Sequence, residues 1–100
     1  MIIINHSPGD ITINGHAHYA KPGNDIVCAA VSVLVQNLIV STYKLTGYEM
    51  EVTEKDGCIS AIKYRDIRHM TETERALINS FIIGVEMIAE AYPENVKLNN

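Results

Sequence analysis

The chain has 100 residues, 12 acidic against 8 basic, and a net charge of −4 with histidine neutral, which bounds it to one mildly acidic domain. Its cations are scattered from Lys21 to Lys97 rather than clustered, so direct nucleic-acid binding is not expected. Met1 is followed by three isoleucines and no basic region, far short of a secretory core, so Cys28 and Cys58 are expected to be free thiols in a reducing cytoplasm.

Ile2 to Asn5 and Asp10 to Asn14 are short β-type runs flanking Ser7-Pro8-Gly9, a turn signal, which predicts an opening hairpin. Carrying the second run on to His16 would place His16 and His18 on one side of the strand. A helix is expected from about Asp25 to Leu45, capped by Asn24 or Asp25. Its uncharged run, Ile26 to Tyr43, contains Ser32, Gln36, Asn37, Ser41 and Thr42. It therefore reads as a buried helix covered on several faces, and no membrane partner is expected.

After Gly47, Tyr48 to Thr53 and Cys58 to Tyr64 alternate as strands about Glu54-Lys55-Asp56-Gly57, a second hairpin. Thr71-Glu72-Thr73-Glu74 fits a capping box in which Thr71 caps and Glu74 reaches back, opening a helix to about Ala91. A last strand near Asn95 to Leu98 completes the order ββαββα(β). The expected fold is α+β, a single domain over residues 1–100 with a mostly antiparallel sheet and two long helices. So much apolar helix surface also predicts a homodimer.

Chemistry concentrates between Gly15 and Gln36. Asp25, Cys28, Ser32 and Gln36 recur every three or four residues, a polar stripe on an otherwise apolar helix. A thiol in the first turn meets the positive end of the helix dipole, and an imidazole across a short loop can take its proton, the needs of a cysteine nucleophile. Periodicity leaves open whether His16 or His18 is the base. Asp25 can orient that imidazole or cap the helix, and Ser32 can support the site or bond within its own helix. His16, His18 and Cys28 are also metal-ligand types, but no fourth ligand stands at suitable spacing, so no metal or cofactor is expected. Cys58, at a strand start, reads as structural, and His6 and His69 read as surface or turn residues.

Gly15-His16-Ala17 followed by Asp25-Ile26-Val27-Cys28-Ala29-Ala30-Val31-Ser32 resembles the ribosomal-processing cysteine proteases of the Prp family. The resemblance implies a cysteine endopeptidase with His16 and Cys28 as catalytic dyad and Asp25 and Ser32 as supporting polar residues. It implies a protein substrate, the N-terminal extension of a large-subunit ribosomal protein removed at an extended apolar and aromatic motif. A phage-encoded relative would instead trim capsid or scaffold proteins. His18, Tyr19, Lys21 and Gly23 then fall on a substrate-binding loop, with Lys21-Pro22-Gly23 as a mobile cover. The competing reading is a non-catalytic dimeric adaptor that keeps the fold while its thiol is incidental.

Overall fold

The computed structural model describes residues 1–21 and 23–100. Strands β1 (Ile2–Ser7) and β2 (Asp10–Asn14) are followed by helix α1 (Ile26–Thr46), then β3 (Glu51–Lys55) and β4 (Cys58–Lys63). A short 3-10 turn at Ile67–His69, helix α2 (Glu72–Ala91) and β5 (Val96–Asn99) close the chain. The order is the expected ββαββα(β). The sheet runs β3-β4-β2-β1-β5, with three antiparallel pairings and one parallel pairing of β5 with β1.

Alternation in the strands decides which face is covered. Ile2 and Ile4 are buried while Ile3 and Asn5 are exposed, and Ile11, Ile62 and Val96 extend the same apolar face across the sheet. Val27, Val31, Val35 and Leu38 of α1 and Ile78, Phe81, Ile82 and Val85 of α2 close the core from that side. Burial of each such side chain contributes about 1.5–3 kcal/mol. The sheet's hairpin turns are those anticipated. Ser7 pairs with Asp10 across Pro8-Gly9, and Asp56 and Gly57 both take positive φ (53° and 78°), the pattern of a two-residue turn that suits strand twist.

Several expectations are corrected. The third strand begins at Glu51 rather than Tyr48, and Glu54 and Lys55 belong to it rather than to the turn. Thr71 caps α2 through the Glu74 N–H (3.1 Å), but Glu74 does not reach back. Its carboxylate is buried and paired with Arg65 Nε at 3.2 Å, whose guanidinium stacks on Tyr48. His6 is not a plain surface residue: it hydrogen-bonds through Nδ1 to Asn100 Oδ1 (2.7 Å) and through Nε2 with the Tyr64 hydroxyl (2.8 Å). Helix α1 is long and apolar enough, by length and composition, to cross a membrane. Here one stripe joins the core cluster shared with the sheet and α2, while Ile26, Val33 and Val40, seven residues apart, are exposed together with Leu45. Within the single chain it is therefore covered on one side, and the further cover expected of a partner subunit would fall on this exposed row.

Candidate active site

The predicted strand through His16 ends two residues earlier, at Asn14. Gly15 has φ +89°, and a Cβ there would overlap the Met1 carbonyl oxygen, so the chain turns away from the sheet at a position only glycine fits. His16 and His18 remain neighbours, their ring centroids 6.0 Å apart, but through this turn and a left-handed His18 (φ 53°) rather than through strand alternation. Between them Ala17 is almost fully buried. Its carbonyl accepts from Asn95 Nδ2 at 2.8 Å, and its N–H points at Cys28 Sγ at 3.4 Å. The two peptide units that flank the Ala17 Cα are thus each held by a hydrogen bond.

Asp25 is the N-cap of α1. Oδ1 accepts from the N–H groups of Val27 and Cys28, both at 3.0 Å, and Oδ2 accepts from Tyr19 (3.0 Å) and Ala20 (3.4 Å). Bonds from the Cys28 amide first, then from Tyr19 and Ala20, hold its carboxyl below the usual carboxylate range. The carboxylate caps the helix and ties down the preceding loop; both oxygens face backbone amides rather than an imidazole. The Ala29 N–H donates to the Asp25 carbonyl at 3.1 Å. Three successive amides at the helix start, Val27 to Ala29, are therefore engaged by one residue.

Cys28 and His16 line one cleft of about 640 Å³. Ser32 and Gln36, the next members of the polar stripe, line it as well, with Val31, Val35, Ile13 and Ile59 supplying apolar wall. Across from α1 the cleft is closed by the β3–β4 hairpin from Glu54 to Ser60. Sequence reasoning anticipated this hairpin but not its place on the cleft, because nothing in its local pattern says which helix it faces. It carries a correction: Cys58 is exposed and lines the same cleft as Cys28, rather than being a structural strand residue. The cleft opens where β4 parts from β2. Their last paired residues are Thr12 and Ala61, while Cys58 and Ile59 pair only with β3, past an irregularity between Thr53 and Glu54.

The other loop residues lie differently. Among the described residues His18, Tyr19, Lys21 and Gly23 do not line the cleft. Tyr19 packs edge-on against Tyr92 with centroids 5.3 Å apart, Lys21 is exposed, and Gly23 has φ +87°. Pro22, the middle of the expected cover, lies outside the described residues. Among the described residues no three histidine, cysteine or acidic side chains converge as a metal site. A smaller depression of about 300 Å³, lined by His6, Tyr64, Met70 and Ile78, sits at the β1–β2 turn, the other end of the strands from Gly15, and holds neither thiol.

A small α+β domain with a helix-start cysteine and a histidine on one cleft belongs, by class, with the cysteine proteases. Comparison with known proteins makes this specific: the family model of the cysteine protease Prp matches residues 2–97, and the chain belongs to that family. It is 28% identical over 90 residues to the ribosomal processing cysteine protease Prp of Bacillus subtilis (strain 168), covering 86% of this chain and 80% of that protein. Among solved structures it is similar to the essential ribosomal processing protease Prp of S. aureus in complex with a covalently linked product peptide. The TM-score is 0.89 at 24% identity, over 99% of this chain and 98% of that one. SMU.848 from Streptococcus mutans matches at 30% identity and TM-score 0.70, over 98% and 88% of the two chains.

Proposed function

We propose that this protease uses Cys28 as nucleophile and His16 as base to remove the N-terminal extension of a large-subunit ribosomal protein in the cytoplasm. The observation that carries the assignment is that His16, Cys28 and Ser32 line one cleft while a backbone N–H is aimed at the Cys28 sulfur. In this reading the sulfur attacks the scissile carbonyl as His16 takes its proton, His16 then protonates the departing amine, and water hydrolyses the thioester. No hydrogen bond joins the His16 ring to Cys28 among the described residues, as is common in an empty site whose catalytic bonds tighten with substrate. Ser32, one turn along α1, would support the site from the cleft wall.

The substrate assignment rests on the B. subtilis and S. aureus relatives, which are named ribosomal processing proteases. The cleft suits an extended peptide. An apolar wall from Val31, Val35, Ile13 and Ile59 receives alternate side chains, and Ser32 and Gln36 offer polar partners. The loop of His18, Tyr19, Lys21 and Gly23 would close over that peptide once bound, and the active species is proposed to be a homodimer. The test is incubation with candidate ribosomal precursor proteins followed by intact-mass measurement. A single N-terminal truncation that disappears in Cys28→Ala is expected; undiminished truncation by that variant would overturn the assignment.

A further inference from the structure

An acyl-transfer site must stabilise the oxyanion that forms when the nucleophile adds to a carbonyl, and the free amides of a helix start are the usual place to look. Here that place is taken. Asp25 engages the N–H groups of Val27 and Cys28 with its carboxylate and that of Ala29 with its carbonyl. A carboxylate bonded to the amides also places negative charge where the oxyanion would have to sit. The donor has to come from elsewhere, and among the described residues the backbone N–H that meets the Cys28 sulfur is that of Ala17.

We infer that the Ala17 N–H, held in place by Asn95, is an oxyanion donor for the Cys28 reaction. This inference rests on the assignment of Cys28 as nucleophile. When the sulfur adds to the carbonyl carbon, the S–C bond forms and the C=O π pair moves onto oxygen. Negative charge thereby passes from a thiolate to an oxygen two bonds away. The sulfur becomes a neutral thioether, a poor acceptor, and the N–H that pointed at it finds the new oxyanion beside it. Collapse restores the carbonyl, expels the amine, which takes the proton held by His16, and leaves the thioester. The donor serves the charge at both positions without a conformational change, which is the property that makes preorganised donors effective.

The preorganisation has visible causes. Ala17 is 1% exposed, so its methyl group is packed in the core cluster. The far side of its residue is fixed by Asn95 Nδ2 on the Ala17 carbonyl. Asn95 is itself anchored by its own backbone, its N–H donating to Tyr92 and its carbonyl accepting from Ile2. Its side chain can therefore be removed without breaking the start of β5. Asn95 is a positioning residue, 78 positions from the amide it orients.

The test replaces alanine 17 by lactic acid, which keeps the methyl group and exchanges the N–H for an ester oxygen. A turnover loss of about 10²–10³-fold at unchanged KM is expected. Alkylation of Cys28 by iodoacetamide, a displacement that forms no oxyanion, should fall by no more than about tenfold, since only the contact with the sulfur is lost there. Equal loss of turnover and alkylation would show that the amide serves only the sulfur, and unchanged turnover that it does not serve the oxyanion; either overturns the inference. Asn95→Ala provides a second reading, with kcat lowered about tenfold, KM unchanged and the fold kept; a change confined to KM would overturn the positioning role. Failure of the underlying assignment is separable, because cleavage would then survive in Cys28→Ala.

Discussion

Two oxygens of Asp25 meet four backbone amides, so this residue joins the loop after Ala17 to the first turn of α1. Its folded-state pKa lies below the ordinary 3.8, so the unfolded chain binds the proton more tightly. The stabilisation is fully present above the unfolded value and is lost as pH falls through the folded one, in the window below about pH 4. Urea midpoints measured from pH 6 down to pH 3 should fall more steeply for the parent than for Asp25→Asn; parallel curves would show that the carboxylate charge contributes nothing. At the reacting centre, Cys28→Ala and His16→Ala are each expected to lower cleavage by about 10³-fold or more with the fold intact. The double variant should be no worse than the worse single one, because both groups serve one step. Cys58→Ala, across the cleft, should change it little. Full activity in His16→Ala with loss in His18→Ala would identify His18 as the base instead.

At the scale of elements, the segment 17–24 links the histidine turn to the cysteine helix, and it is pinned at Ala17 and again where Tyr19 and Ala20 meet Asp25. If it closes over substrate, its amides should gain hydrogen-exchange protection when an extended peptide is bound; equal protection with and without peptide would make it a fixed wall. Much of this was legible beforehand. Caps such as Asp25 and Thr71, the Asp56-Gly57 turn and the spacing of Cys28, Ser32 and Gln36 are local signals, and local signals survive folding. What failed was long-range or hidden in one backbone angle. Gly15 ends β2 because Met1 lies against it, Glu74 turns inward because Arg65 reaches it, and Cys58 joins the cleft because of how the hairpin faces α1. The role of Asn95 has no signal in its own neighbourhood, since its partner is at the other end of the chain.

On the scale of the whole molecule, the helical layer covers one face of the sheet and leaves its own outer face bare. Ile26, Val33 and Val40 recur every seven residues along α1 with 50–65% of their surface exposed, and Ile83 and Met87 stand one turn apart on α2 at 56% and 65%. Isolated exposed apolar residues are ordinary, but rows of them on adjoining helices form the kind of stripe that pairs with another helix layer. A two-fold arrangement would let each α1 meet its own copy, because an isologous contact needs one self-complementary surface. Sedimentation at micromolar concentration is therefore expected to give a species of twice 11.1 kDa. Val33→Glu separates this from the alternative in which the stripe faces solvent. The side chain is 65% exposed in a single chain, so the change should cost a monomer within about 0.5 kcal/mol. In a dimer it places two unpaired carboxylates in an apolar contact and should yield a folded monomer. A parent chain that sediments as a monomer would overturn the dimer.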